Sequence, residues 1–220
     1  RAQVMSKGVD CRYLEADLAK DARTGLYFYE SGSSPRKPTV VYDRKNSSFT
    51  EFTVQSVPKQ AYESTKLFYT SGISMACSPN CRKQVESLIR SFKEAGCVIA
   101  FDVNYRANLW SEEEAREAIG SILPLVDILF VSEETSRRMF RKTGNLEEIL
   151  RSYSTQYGIS VVATSQRTVH NTHSQTFGSI IYGAKADAFF TEPPYEGIEV
   201  VDRIGSGDAF VSGVLYGILE

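Results

Sequence analysis

Gly205-Ser206-Gly207-Asp208 is the segment of this sequence most suited to chemistry. Two glycines let a backbone approach a ligand closely, and the free N–H groups of a helix that starts there bind phosphate oxygens. Asp208 would then lie in the first helical turn beside an anion, where a carboxylate can take the proton of a hydroxyl attacking a phosphoryl group. The same four residues also make an ordinary turn with a helix cap, and local physics alone leaves both readings open. A second segment, Asp102-Val103-Asn104-Tyr105-Arg106, continuing to Asn108-Leu109-Trp110, gathers acid, amide and guanidinium groups. Arg106 is suited to a bidentate grip on a carboxylate. The plainer alternative is a surface loop with a local Asp–Arg pair. Tyr27, Tyr42 and Arg44 form a third set; taken alone they read as strand residues and a solvated charge.

These segments need elements to position them. From about residue 66 the pattern alternates strand and helix. Lys66–Ser71 is a short β-favouring run. Ser78-Pro79 reads as an N-cap followed by proline at the first helical position. Val85, Leu88, Ile89 and Phe92 follow at helical spacing until Gly96 closes the helix. Cys97–Val103 reads as a buried strand. Ser111 with Glu112, Glu113 and Glu114 starts another helix, its acids favourably placed for the helix dipole. Asp127–Val131 is a strand. A helical stretch then runs to about Tyr157, with a break near Gly144-Asn145, and Ile159–Thr164 is again a strand. Such alternation predicts an α/β fold with a Rossmann-like parallel sheet and helices on both faces. Ligands of such sheets bind beyond the carboxyl ends of the strands. Those ends are Ser71-Gly72, Asp102–Arg106, Ser132-Glu133-Glu134 and Thr164–Arg167, to which the start of the last helix near Gly207 is added.

Toward the end of the chain Ser179–Tyr182, Ala188–Thr191 and Gly197–Val201 read as short strands, the first two as a hairpin. Between Thr24 and Val54 the α/β pattern is interrupted. Leu26–Tyr29 and Thr39–Tyr42 read as strands joined by a turn over Ser31–Pro38, and Ser47-Ser48 turns into a further strand at Phe49–Val54. The expected organisation is therefore a core segment at 1–23, a small β excursion at 24–54 and an α/β core at 55–220. His170 and His173 fall in a polar loop, Gln166–Thr176, that reads as solvated. Glu147 and Glu148 read as a solvated helix face.

Composition narrows the classes. The 220 residues are 42% hydrophobic and 24% charged, with a formal net charge of −2. That is enough apolar material for one sizeable core. No Lys/Arg stripe suggests nucleic acid, and no apolar run approaches the ~20 residues of a membrane span. Of the four cysteines, Cys77 and Cys81 could be half of a metal site, but no second ligand pair follows. Reduced structural thiols in a cytoplasmic protein are the simpler reading. Both ends of the chain read as abrupt, which predicts a fragment lacking elements at each end.

Asp202-Arg203-Ile204-Gly205-Ser206-Gly207-Asp208-Ala209-Phe210 resembles the second signature, D-T-x-G-A-G-D-x-F, of the ribokinase-like (PfkB) carbohydrate kinases. Phe101–Arg106 with Leu109-Trp110 is similar to the D-x-N-x-R segment of the 2-keto-3-deoxygluconate kinases in particular. Gly25–Phe28 through Val41–Arg44 is similar to their lid strands. The resemblance implies a ribokinase-like core with a β-strand lid, and transfer of the ATP γ-phosphate to a hydroxyl of 2-keto-3-deoxygluconate. It implies Asp208 as general base and the backbone of Gly205, Ser206 and Gly207 as anion hole. Tyr27, Tyr42, Arg44 and Arg106 would contact the sugar acid. Asn104, Ser132 and Thr164, Ser165 and Arg167 would lie along the nucleotide, together with Gly205 and Gly207. Mg2+ would come with ATP rather than in a protein cage. Lid strands in this family often pair between subunits, which implies a homodimer.

The sequence departs from the family pattern in places. Ser206 stands for the usual alanine, Ser132-Glu133-Glu134-Thr135 for the N-x-x-E motif near magnesium, and Ser165-Gln166-Arg167 for a G-x-x-G turn. Other kinases of the family, for fructose, ribose or 5-keto-2-deoxygluconate, are the nearest alternatives; Arg44 and Arg106 favour an acidic sugar. A non-catalytic sugar- or nucleotide-binding homologue would not need Asp208. A dinucleotide oxidoreductase would need a G-x-G-x-x-G after an early strand, and none is present.

Overall fold

The computed structural model describes residues 2–30, 39–171, 173–202 and 204–220. The expected turn at Ser31–Pro38, together with Thr172 and Arg203, lies outside the described residues.

The chain opens with a short helix α1 (Ala2–Met5). Residues 2–22 are exposed apart from Cys11, so the expected core segment contributes one buried side chain. β1 (Leu26–Glu30) and β2 (Thr39–Asp43) then pair antiparallel as a separate two-stranded sheet, with Tyr27 opposite Tyr42. The strand expected at Phe49–Val54 is absent. Ser48–Glu51 and Val54–Ser56 are single 3-10 turns instead. Their polar groups are satisfied from a distant helix: Asn80 Nδ2 donates to the Thr50 and Phe52 carbonyls, and Gln84 Oε1 accepts from Val54 N. With those groups taken, no ladder forms.

α2 (Lys59–Ser64) leads into β3 (Leu67–Ser71), α3 (Gly72–Ala76) and α4 (Pro79–Glu94). Ser78 caps α4 as its sequence predicts, its Oγ accepting from Cys81 N at 3.0 Å. Gly96 ends the turn after α4 with φ +83°, a left-handed conformation open to glycine. β4 (Val98–Asp102), α5 (Glu112–Ile122) and β5 (Ile128–Phe130) follow. A reciprocal capping box joins Ser111 and Glu114 at the start of α5. The single helical stretch expected next is two helices, α6 (Glu133–Arg138) and α7 (Leu146–Tyr157), separated by seven residues. Glu147 and Glu148 are exposed, as expected of a solvated face, and Glu148 also closes a capping box with Asn145.

β6 (Val161–Val169) and β7 (Ser174–Gly183) run further than expected and pair along nine positions, from Val161↔Gly183 to Val169↔Gln175. The supposed loop Gln166–Thr176 is thus mostly hairpin, with His170 and His173 at its tip. β8 (Ala188–Thr191) and β9 (Tyr195–Glu199) both pair with β7. α8 (Ser206–Leu219) closes the chain.

Among the described residues the main sheet has seven strands, in the order β3-β4-β5-β6-β7-β8, with β9 also on β7. β3 to β6 are parallel, and β7 to β9 are antiparallel additions. Strand order follows chain order through β6, so right-handed crossovers put α4, α5 and α7 on one face. There Ile99, Phe101, Leu129 and Val162 meet Val85, Ile89, Ile119, Leu150 and Tyr153 in the larger core. The alternate residues Ala100, Ile128, Phe130 and Ala163 face the other way and meet Val211 of α8 in a smaller core. This is the α/β sheet, with helices on both faces, that the alternation predicts. No helix among the described residues is long and apolar enough to cross a membrane.

Candidate active site

The carboxyl ends of β4, β5 and β6 and the start of α8 line a cleft of about 470 Å³. Asp102, Asn104, Arg106, Ser132, Thr164, Ser165 and Gly207 all contribute to it, so residues spread over 106 positions of sequence share one wall.

β4 supplies the first part. Asp102 is the last residue of that strand, with Ser71 and Phe130 as its register neighbours. Its Oδ1 accepts from Asn104 N at 3.1 Å, which turns the chain sharply. Asn104 takes φ +36°, a left-handed conformation that asparagine tolerates better than most residues. The turn presses on the start of α3: a Cβ at Gly72 would stand 2.2 Å from the Val103 carbonyl oxygen, so only glycine fits. Arg106 is exposed, with Nη1 donating to the Tyr105 carbonyl at 3.1 Å. Tyr105 Oη in turn donates to the Trp110 carbonyl at 3.2 Å.

β5 supplies the second part. Ser132 Oγ caps α6 by accepting from Thr135 N at 3.1 Å and donates to Thr135 Oγ1 at 2.8 Å. Arg138 lines the cleft and spans two acids, Glu112 of α5 and Glu134 of α6. β6 supplies the third. Thr164 is buried, and Ser165 is exposed beside it. Arg167 lies outside the cleft but donates from Nη2 to Ser206 Oγ at 2.9 Å, and its guanidinium stands 6.0 Å from the Phe177 ring.

α8 brings the anion-binding feature. Gly205 is its N-cap at φ +77° and makes no side-chain cap, and the first closing bond is Ala209 N to Gly205 O at 2.8 Å. Gly205 offers the N–H groups of the first turn no side-chain partner, and added Cβ atoms at Gly205 and Gly207 would meet nothing within 4 Å. Asp208 is exposed in that turn. Phe210 anchors the turn, edge-on to Phe130 at 6.1 Å and to Phe177 at 6.3 Å.

Electrostatics sets Asp102 apart. Burial pushes its carboxyl up to about 6; the Asn104 N–H and the Arg106 charge pull the other way, and the Asp208 charge adds a small push upward. Burial likewise raises Tyr69 on β3, with Asp102 and Asp208 adding to it. Tyr27, Tyr42 and Arg44 are not in the cleft. They gather on the two-stranded sheet, the tyrosine rings 6.4 Å apart and the Arg44 guanidinium 4.2 Å over the Tyr42 ring. Among the described residues no group of three or more His, Cys, Asp or Glu side chains could hold a metal ion.

Several cleft residues escape a reading of the sequence. Glu112 looks like a helix-start acid, and Arg138 gives only its four-residue spacing from Glu134, itself at a strand end named from the sequence, as a signal. Met139, Phe210 and Val211 look like core.

The chain matches the model of the pfkB family carbohydrate kinases over residues 1–220. It belongs to that family. A 2-dehydro-3-deoxygalactonokinase of Haloferax volcanii is 32% identical over 195 residues, covering 89% of this chain and 58% of the relative. A PfkB family carbohydrate kinase from Listeria grayi superposes with a TM-score of 0.83 at 31% identity, covering 90% of this chain and 62% of the other. A 2-dehydro-3-deoxygluconokinase from Thermotoga maritima superposes with a TM-score of 0.84 at 26% identity, covering 90% and 61%.

Two expectations are corrected here. The family match runs from residue 1 to residue 220 and leaves no unmatched margin at either end, so the abruptness read into the termini is not a departure from the family pattern. The particular nearness to gluconate-type kinases gives way as well, because a galactonokinase relative is 32% identical. The chain spans 58 to 62% of the length of these three relatives.

Proposed function

We propose that this chain carries the transfer site of an ATP-dependent sugar kinase whose acceptor is a 2-keto-3-deoxy sugar acid, the class that includes 2-keto-3-deoxygluconate. One observation carries the reading: Asp208 sits in the first turn of α8, a helix whose N-cap Gly205 makes no side-chain cap and whose Gly207 lines the strand-end cleft. A helix start of this kind holds phosphate oxygens through its N–H groups and dipole. Asp208 is then within the same turn as the transferred phosphoryl group and takes the proton of the attacking hydroxyl. The backbone N–H groups of Gly205, Ser206 and Gly207 stabilise charge that develops on the phosphoryl oxygens.

Asn104, Ser132, Thr164 and Ser165 form the nucleotide wall, and Arg167 steadies Ser206. Arg106 at the cleft, with Tyr27, Tyr42 and Arg44 on the two-stranded sheet, receives the sugar acid, and the two arginines match its carboxylate. The two-stranded sheet acts as a lid over the sugar; pairing of lids between two copies would give a homodimer. Magnesium would come with the nucleotide and offset the charge on its phosphate oxygens. Two of the relatives are named as 2-dehydro-3-deoxy sugar kinases, which agrees with an acidic acceptor.

The test is phosphoryl transfer from ATP to a panel of sugar acids and neutral ketoses. Turnover highest on a 2-keto-3-deoxy acid, and lost in Asp208→Asn, supports the reading. A preference for a neutral ketose removes the acid-sugar assignment, and an unchanged rate in Asp208→Asn removes the base.

A further inference from the structure

Arg138 has no part in the chemistry described above, yet it lines the cleft together with Glu112, Ser132, Glu134 and Thr135. It is the last residue of α6, and Glu112 is the first residue of α5. Its Nη1 donates to Glu134 Oε1 at 2.7 Å and its Nη2 to Glu112 Oε1 at 2.5 Å. Among the described residues it is the only cation paired with two acids. The Glu134 pair lies within one helix at the ordinary four-residue spacing. The Glu112 pair joins two helices across 26 positions of sequence.

α6 needs such a tie. It has six residues, too few to hold a helix by backbone bonds alone. Its inner side is fixed by the fully buried Ser136, whose Oγ donates to the Ser132 carbonyl at 3.0 Å and accepts from Tyr153 Oη at 3.0 Å. On the cleft side, the link to α5 is Arg138. Ser132 and Thr135, at the start of the helix, are joined by the bond from Ser132 Oγ to Thr135 Oγ1 at 2.8 Å. A shift of α6 therefore moves both hydroxyls of this wall. A guanidinium suits the task, because its planar fork offers separate donors to two carboxylates in fixed directions, and an ammonium on a flexible stem does not. The pairs are exposed and add little to the stability of the chain, so their effect lies in selecting one placement of a short helix.

We propose, resting on the reading of this cleft as the nucleotide site, that Arg138 is the positioning residue of its outer wall: bound to Glu112 and Glu134 together, it sets Ser132 and Thr135 at the separation from Thr164 and Ser165 that a nucleotide fits. Glu112 is the fixed end of the clamp, because the Ser111–Glu114 capping box anchors the start of α5. Thr164 and Ser165 face the cleft from β6. The clamp acts on nucleotide affinity and leaves the transfer step to α8.

The experiment measures Mg·ATP binding by calorimetry, and steady-state kinetics with ATP varied, in the full chain and in Arg138→Ala, Arg138→Lys, Glu112→Gln and the double variant of Arg138→Ala with Glu112→Gln. Arg138→Ala and Glu112→Gln should each weaken ATP binding by about three- to fivefold, the upper end for an exposed ion pair, with kcat changed less than about twofold. The double variant should bind no worse than Arg138→Ala, since both substitutions remove one shared contact. Arg138→Lys should recover only part of the loss. Losses that multiply in the double variant, a fall in kcat at unchanged ATP affinity, or an affinity unmoved in Arg138→Ala overturns the proposal. So does tighter binding in Glu112→Gln, the mark of an Arg138 that the acid holds back from direct contact with phosphate. Ser165→Trp, which fills the cleft from the opposite wall, tests the underlying reading separately. If it leaves ATP affinity unchanged, the nucleotide lies elsewhere and that reading fails; if it abolishes ATP binding while Arg138→Ala does nothing, the clamp alone fails.

Discussion

Arg167 reaches from β6 to the first residue of α8 and donates to Ser206 Oγ at 2.9 Å, joining two sides of the site that lie 39 positions apart. The bond is exposed, so its effect on stability is small, about 1 kcal/mol or less. Its effect on nucleotide binding should be larger. Arg167→Ala is expected to raise the KM for ATP by roughly tenfold, as loss of a charge-assisted contact does. Ser206→Ala should change it less than about threefold, because the phosphate site uses backbone N–H groups rather than side chains. Steady-state kinetics with ATP varied, beside urea unfolding of both variants, checks both statements.

Asp208→Asn should keep the fold and the binding of both substrates while slowing transfer by about 10²- to 10⁴-fold, the usual worth of a general base. Rapid-quench measurement of the transfer step separates this loss from a loss of binding.

Arg44→Ala and Arg106→Ala should each raise the KM for a 2-keto-3-deoxy acid by about 10- to 100-fold, the range for hydrogen bonds to charged groups. A neutral ketose should be nearly indifferent to either change. Equal losses on acid and neutral acceptors would mean that the arginines serve the lid or the turn, not the carboxylate.

The half-buried position of Asp102 has a consequence for stability. Its carboxyl is raised to about 6 from an ordinary 3.8, so the folded chain binds this proton more tightly than the unfolded chain does. The stabilisation is therefore complete below about pH 4 and is lost as pH rises through about 6. The difference is of order 3 kcal/mol at most. Asp102→Asn should accordingly unfold at higher urea than the unaltered chain at pH 8, and the gap should close toward pH 4. A gap of constant size across that range would refute it.

Two glycines give opposite expectations. Gly72→Ala drives a methyl group into the Val103 carbonyl, a backbone atom that cannot swing away. It should cost about 1–3 kcal/mol, as overpacking does, and should disturb the Arg106 turn as well. Gly213→Ala, in α8 with nothing within 4 Å, should stabilise by about 0.5–1 kcal/mol through helix propensity. Chemical denaturation of the pair tests both.

How far the sequence reveals this arrangement depends on where each residue finds its partner. The caps at Ser78 and Ser111 are legible because cap and recipient lie three residues apart. The strand ends are legible because a parallel sheet gathers them on one edge, which is why Asp102, Ser132 and Thr164 appear among the candidates before any coordinates. Phe49–Val54 misleads because its carbonyls are claimed by Asn80, some 30 residues away. The length of β6 misleads for the same reason, since Gln166–Val169 are strand only by virtue of Thr176, Gln175 and their neighbours opposite. The uneasy charge state of Asp102 arises from burial, which no spacing rule reports. The clamp of Arg138 on Glu112 spans 26 positions and leaves no local mark.

α8 rests on a thin footing. Val211 is the only buried residue among its described positions, whereas α4 buries Cys81, Val85, Ile89 and Phe92. The helix that bears Asp208 should therefore open far more often than the helices on the opposite face, and its amide protons should exchange with solvent first. A phosphate bound at its first turn would oppose that opening. Amide exchange along 206–219, slowed by nucleotide and unaffected by sugar alone, would make the fraying of one helix a direct gauge of site occupancy.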